Sequence, residues 1–180
     1  MKAGGGLIDK FAIVRYNSNG SLDTTFDFDG IVTIETGNFG SFGRAIAIQN
    51  DGKIVVTGFS AINNGYEVSL ARYNINGSID STFDTDGLVS TQFGNNNCKG
   101  YSLALQNDGK IVVAGYGDVD FALIRYNTDG SLDTSFDNDG IVSTPIGPFG
   151  AIGESVSIQS DGKIIVAGYT LTYPDFALAR

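Results

Sequence analysis

The phrase "IQNDGKIVVTG", Ile48 to Gly58, returns as "LQNDGKIVVAG" from Leu105 to Gly115 and as "IQSDGKIIVAG" from Ile158 to Gly168. Each copy is two β-prone runs joined through Asp-Gly, the strongest short-range signal for a hairpin, because these residues tolerate the positive φ of a tight turn. The run after the turn, Ile54-Val55-Val56 in the first copy, is apolar at consecutive positions, so both faces of that strand need cover. One sheet cannot supply that cover. A stack of sheets can.

Working outward, "FAIVRYNSNGSLDTTFDFDGIV" (Phe11 to Val32) recurs as "VSLARYNINGSIDSTFDTDGLV" (Val68 to Val89) and as "FALIRYNTDGSLDTSFDNDGIV" (Phe121 to Val142). Arg15, Arg72, Arg125 and Arg180 mark a period of 53–57 residues. Each unit divides into four strands. In the first complete unit they are A "RAIAIQ" (Arg44 to Gln49), B "KIVVTGF" (Lys53 to Phe59), C "EVSLARY" (Glu67 to Tyr73) and D "LVSTQF" (Leu88 to Phe93). No ten-residue segment has helical periodicity with caps. Four strands at a period near 50 residues predict an all-β fold, a β-propeller of about three four-stranded repeats. The units fall at residues 1–43 (strands C and D), 44–93, 94–146 and 147–180 (strands A to C) of one repeat domain. Ala3-Gly4 aligns with Ala114-Gly115, the end of a strand B. Closed propellers have four to eight blades, so about three units predict completion to six blades by a homodimer, or membership of a longer parent chain.

The combination "FALxRYNxDGSLDTSF…DG" followed by "QxDGKIVVAG" resembles the bacterial delta-sixty repeat family, over nearly the whole span from Phe11 to Arg180. The resemblance implies propeller-like repeats in surface or secreted proteins, with no assigned activity or catalytic residues. Asp27, Asp84 and Asp137 stand where that family often has glycine. The strand order also resembles propellers of the NHL type, which bears on the fold alone.

Charge and composition narrow the chemistry. Twenty acidic against 11 basic side chains give a net charge of −9, so nucleic acid and anionic membrane surfaces are repelled on average. With no histidine and one cysteine, Cys98, there is no internal disulfide, Cys/His zinc cluster or histidine base. No apolar run approaches the roughly 18 residues of a spanning helix, so no membrane insertion is expected. The opening "MKAGGGLIDK" lacks the apolar core of a signal peptide.

Several repeated residues have both a structural and a functional reading. "FDFDG", "FDTDG" and "FDNDG" place Asp27 and Asp29, Asp84 and Asp86, and Asp137 and Asp139 at alternate positions before a glycine, as a calcium loop does. The first carboxylate and the bidentate glutamate of such a loop are replaced by Thr25, Thr82 and Ser135 and by Thr36, Phe93 and Ile146, which favours polar turns and no bound cofactor over calcium. Arg15, Arg72 and Arg125 each precede an aspartate by eight residues (Asp23, Asp80, Asp133), a spacing expected of a structural pair. Phe26, Phe83 and Phe136 are expected to wedge between blades. Cys98, in "GNNNCKG", is expected as a surface thiol in a loop, with Lys99 beside it to lower its pKa. Asn19 and Asn76 fit a glycosylation pattern and equally fit turns.

Function is expected on one face. The A–B and C–D turns are the repeated phrases, whereas the D–A segments "GNFGSFG", "GNNNCKG" and "GPFGAIG" and the B–C segments "SAINNGY" and "TLTYPD" vary. Arg44, Tyr101 and Glu154 share one place, the start of strand A on the variable face. With Tyr66, Asn96, Lys99, Asp118 and Asp120 they form the candidate ligand-binding set. The favoured function is a non-enzymatic interaction module for a protein or glycan. The alternative is a propeller hydrolase or lyase, with Asp118, Asp120 and Glu154 around a divalent cation.

Overall fold

A computed structural model of the chain describes residues 9–171 and 175–180. Among these residues every regular element is a strand. The first sheet pairs β1 (Phe11–Val14) with β2 (Ile31–Ile34). The second is the antiparallel meander β3 (Ser41–Ile48), β4 (Ile54–Ile62), β5 (Gly65–Tyr73) and β6 (Leu88–Thr91). The third repeats it as β7 (Cys98–Leu105), β8 (Ile111–Gly117), β9 (Asp120–Tyr126) and β10 (Ile141–Thr144). The fourth has β11 (Ala151–Ile158), β12 (Ile164–Thr170) and β13 (Phe176–Ala179). The alignment of Ala3-Gly4 to a strand B falls outside the described residues, as does part of "TLTYPD".

The sheets stack face to face, and strand B is buried on both sides as its apolar run requires. Ile54 and Val56 of β4 pack with Phe11, Ile13 and Phe26 of the first unit. Val55 between them packs the other way, with Leu70 and Phe83 against Ile111 and Val113. In β8 the alternation repeats, Val112 and Ala114 turning to Val156 and Val166 of the fourth sheet. Burial at these sites is near complete, and each Val, Leu, Ile or Phe side chain among them contributes about 1.5–3 kcal/mol.

The repeated polar residues join one sheet to the next. Arg72 donates to Asp80, lies over the Phe83 ring at 4.4 Å and donates to the carbonyl of Thr128 in the following unit. Arg15 does the same with Asp23, Phe26 and the carbonyl of Ile75. Phe26 and Phe83 are wholly buried, against Gly77 and Gly130 of the next unit, as expected of wedges. Asn19 and Asn76 accept hydrogen bonds from Ser21 and Ser78 within their turns.

Two local expectations need correction. Strand A begins earlier and strand D ends sooner than the sequence suggests: β3 opens at Ser41 and β6 closes at Thr91. Much of the variable segments is therefore strand, and the B–C connection in the second sheet shrinks to Asn63 and Asn64. Cys98 is not a surface thiol. It is the first residue of β7 and fully buried, its Sγ donating to the carbonyls of Phe93 and Tyr66. Burial pushes the thiol up rather than Lys99 drawing it down.

Candidate functional site

The variable face is built on a fault repeated in every strand A. The β3–β4 register slips between Gly43 and Ala45, leaving Arg44 as the extra residue of a bulge. The β7–β8 register slips between Gly100 and Ser102 around Tyr101, and the β11–β12 register between Gly153 and Ser155 around Glu154. A bulge redirects the side chain it adds. The three residues singled out by position in the sequence are thus the three bulge residues: a cation, a phenol and a carboxylate in one structural setting.

Around the first two bulges the aromatic side chains form a continuous wall. Phe59 stacks on Phe42 with centroids 5.1 Å apart and meets Tyr66 edge-on at 5.3 Å and Tyr101 at 6.1 Å. Tyr101 in turn stacks on Tyr116 at 6.1 Å with the planes 12° apart. Two cations rest on this wall. Arg44 lies 5.1 Å from the Phe59 centroid and 5.8 Å from that of Tyr101. The Lys99 ammonium lies 3.8 Å from Tyr66, 4.8 Å from Phe59 and 5.9 Å from Tyr116. Among the described residues every other lysine and arginine is paired with a carboxylate. Partial burial, and then the nearby Arg44 charge, lower the Lys99 pKa. Burial, with Tyr116 and Glu154 nearby, pushes Tyr101 up to about 12.

The remaining candidates are placed differently. Asp118 accepts hydrogen bonds from the Asn95 backbone and amide, and Asp120 pairs with Gly117 at the start of β9. Asn96 is exposed, and its carbonyl accepts from the Tyr66 N–H, fastening two variable connections together. Phe42, Phe59, Tyr116 and Tyr169 were not singled out from the sequence. The signal was present, since an aromatic follows the glycine that closes each repeated phrase: Gly58-Phe59, Gly115-Tyr116 and Gly168-Tyr169.

The aspartate loops are turns in structure. Asp29, Asp86 and Asp139 accept from the N–H two residues on, while Asp27, Asp84 and Asp137 adopt φ of 45–49°. Thr25, Thr82 and Ser135 donate back to Asp23, Asp80 and Asp133. Among the described residues no three acidic, histidine or cysteine side chains are placed to hold a metal ion. Chelation with EDTA is expected to shift the melting temperature by less than about 2 °C, because only a ligand bound to the native state would add stability. A fall of about 10 °C in a thermal melt would show that these loops hold a structural cation.

The β-propeller domain of unknown function DUF5122 matches residues 6–26, 49–83, 106–136 and 159–180, more than half of the sequence. The chain belongs to this DUF5122 β-propeller family. No curated protein matches it. The segments 49–83 and 106–136 each run from the end of strand A through strands B and C into the following C–D turn, and so take in the repeated phrases and the joints between sheets. The bulges of this propeller fall in the unmatched intervals around residues 27–48, 84–105 and 137–158, as do Phe42 and Tyr101, whereas Phe59, Tyr66 and Tyr116 of the wall lie within matched segments.

Proposed function

We propose that this DUF5122 propeller is a non-enzymatic binding module that takes an anionic glycan or protein segment on its variable face, and that two copies complete a six-bladed ring. The observation that carries the reading is the pair of cations that have no carboxylate partner among the described residues, Arg44 and Lys99, seated on one aromatic wall in a chain of net charge −9. Aromatic faces suit the apolar side of a sugar or side chain, and the cations suit its carboxylate or sulfate. Glu154, at the third bulge, gives the rim an opposite charge and with it direction. The resemblance to delta-sixty repeats suggests a secreted or cell-surface setting.

Titration calorimetry against acidic oligosaccharides, their neutral counterparts and acidic peptides tests this. Acidic ligands are expected to bind, and Arg44→Ala with Lys99→Ala to weaken them by about tenfold or more, while Asp51→Ala on the opposite face changes nothing. Equal affinity for neutral ligands, or loss of binding with Asp51→Ala alone, would overturn the reading.

A further inference from the structure

The joint of arginine, aspartate and phenylalanine that links one unit to the next is complete twice in this chain and incomplete once, and parts that match the missing ones are present elsewhere in it. Asp27 and Asp84 donate their N–H to the carbonyls of Asn76 and Asp129. Asp137, the third in the series, has no such acceptor among the described residues, nor does Arg125 find the carbonyl that Arg15 and Arg72 reach. Phe136 is correspondingly only half-buried, where Phe26 and Phe83 are wholly so. The complementary turn is Asn17–Gly20. A Cβ at Gly77 or Gly130 would press on the Phe of the preceding unit, whereas one at Gly20 would meet nothing within 4 Å.

The same mismatch runs through the ion pairs and strands. Lys53 and Lys110 reach across to Asp80 and Asp133, giving each aspartate two cations. Lys163 instead pairs with Asp161, two residues away, and among the described residues Asp23 has one cation, Arg15. Phe11, Val68, Phe121 and Phe176 occupy one repeated position, and they are 0%, 1%, 3% and 80% exposed. Phe176 belongs to β13, a four-residue strand pairing with β12. β1, of nearly the same sequence, has one edge unpaired among the described residues. That edge borders a cleft of about 580 Å³ against Ser41–Ile46.

We propose that the ring is joined by a hybrid blade, in which β11 and β12 of one copy pair with β1 and β2 of a second copy, β1 taking the place of β13. The proposal rests on the two-copy ring above and specifies its joint. β1 of the second copy lies on β12 in the register that β13 now holds, Phe11 opposite Tyr169 and Val14 opposite Val166. Lys163 then meets Asp23. The Arg125 guanidinium and the Asp137 N–H meet the carbonyls of Ser18 and Asn19, and Phe136 closes on Gly20. One movement supplies every missing contact, and because the joint is head-to-tail, two of them close a ring.

A Cβ at Gly77 would lie 3.1 Å from the Asp27 Cβ in the joint already formed. The equivalent pair across the hybrid blade, Gly20→Cys with Asp137→Cys, is therefore placed for a disulfide after a shift of a few tenths of an ångström. On oxidation the full chain is expected to run as a covalent dimer, and to do so equally when residues 176–180 are removed. Cross-linking that disappears with that truncation would show that β13 holds its place and overturn the exchange. Monomer alone would overturn the joint. A ladder of higher species would support the joint while overturning the two-copy ring. Without engineered cysteines, Phe136→Ala is expected to raise the dimer dissociation constant in light scattering by about tenfold or more, and an unchanged constant would count against the joint.

Discussion

Replacing Asp80 with alanine is expected to destabilise the fold by about 3–5 kcal/mol, the cost of stranding a buried charge. Asp80 is 3% exposed and Arg72 is 6% exposed. One carboxylate oxygen accepts from Arg72 Nε at 2.6 Å and Lys53 Nζ at 2.8 Å, and the other from the Thr82 hydroxyl and N–H. Burial alone would raise the carboxyl pKa, but the bonds from Lys53, Thr82 and Arg72 outweigh it and hold the group far below the ordinary range. A depressed folded pKa means that the contribution is complete above about pH 4–5 and is lost as the pH falls through the unfolded value towards the folded one. The wild type should therefore lose stability in acid over that window more steeply than Asp80→Ala. Asp23 is the internal comparison. Its partner Arg15 has a side chain 30% exposed, and among the described residues no lysine joins the pair, so Asp23→Ala should cost much less. Urea unfolding of the two variants at pH 7 and pH 4 measures both terms. Equal losses would show that burial does not set the worth of the pair.

The sequence made the scaffold legible because the scaffold is what repeats. A consecutive apolar run in strand B, Asp-Gly turns and the Arg–Asp spacing of eight each follow from a demand that every blade shares, and periodicity exposes shared demands. The variable face was legible only by subtraction. Arg44, Tyr101 and Glu154 stood out by alignment, but nothing in "GRAIAI", "GYSLAL" and "GESVSI" announces a bulge, since the extra residue shows only when strand A is laid against strand B. Cys98 was misplaced for a related reason. "GNNNCKG" reads as a polar loop, but β7 begins inside it, ahead of the bulge, and carries the thiol inward. The aromatic wall gathers Phe42, Phe59, Tyr66, Tyr101 and Tyr116 from two sheets; the aromatic after each closing glycine is a local signal, but its meeting with Tyr66 and Tyr101 is a contact distant in sequence.

Gly115→Ala is expected to cost about 3 kcal/mol or more and to break up the aromatic wall of the variable face together with it. A Cβ at Gly115 would stand 1.8 Å from the carbonyl oxygen of Lys99, and one at Gly58 or Gly168 would stand 1.9 Å or 1.8 Å from the carbonyls of Phe42 and Ile152. Backbone cannot yield as the end of a flexible side chain can. These carbonyls belong to the residues two before Arg44, Tyr101 and Glu154, so the close approach of strand B lies immediately beside each bulge, and the glycine that ends every repeated phrase makes it possible. Forcing strands A and B apart there would move Lys99 off the rings of Phe59 and Tyr66 and turn Tyr101 away from Tyr116. Gly43 is the control, the residue paired with Gly58 at the corresponding approach in the second sheet. Its added Cβ would meet nothing nearer than 3.8 Å, an ordinary contact, and its φ lies outside the left-handed region. Gly43→Ala should therefore fold to within about 1 kcal/mol of wild type and retain the tyrosine signal. Thermal melts of Gly115→Ala and Gly43→Ala, with near-ultraviolet dichroism of the tyrosine wall, decide it: a Gly115→Ala protein with wild-type stability and an unaltered tyrosine signal would show that the bulge does not depend on the glycine opposite.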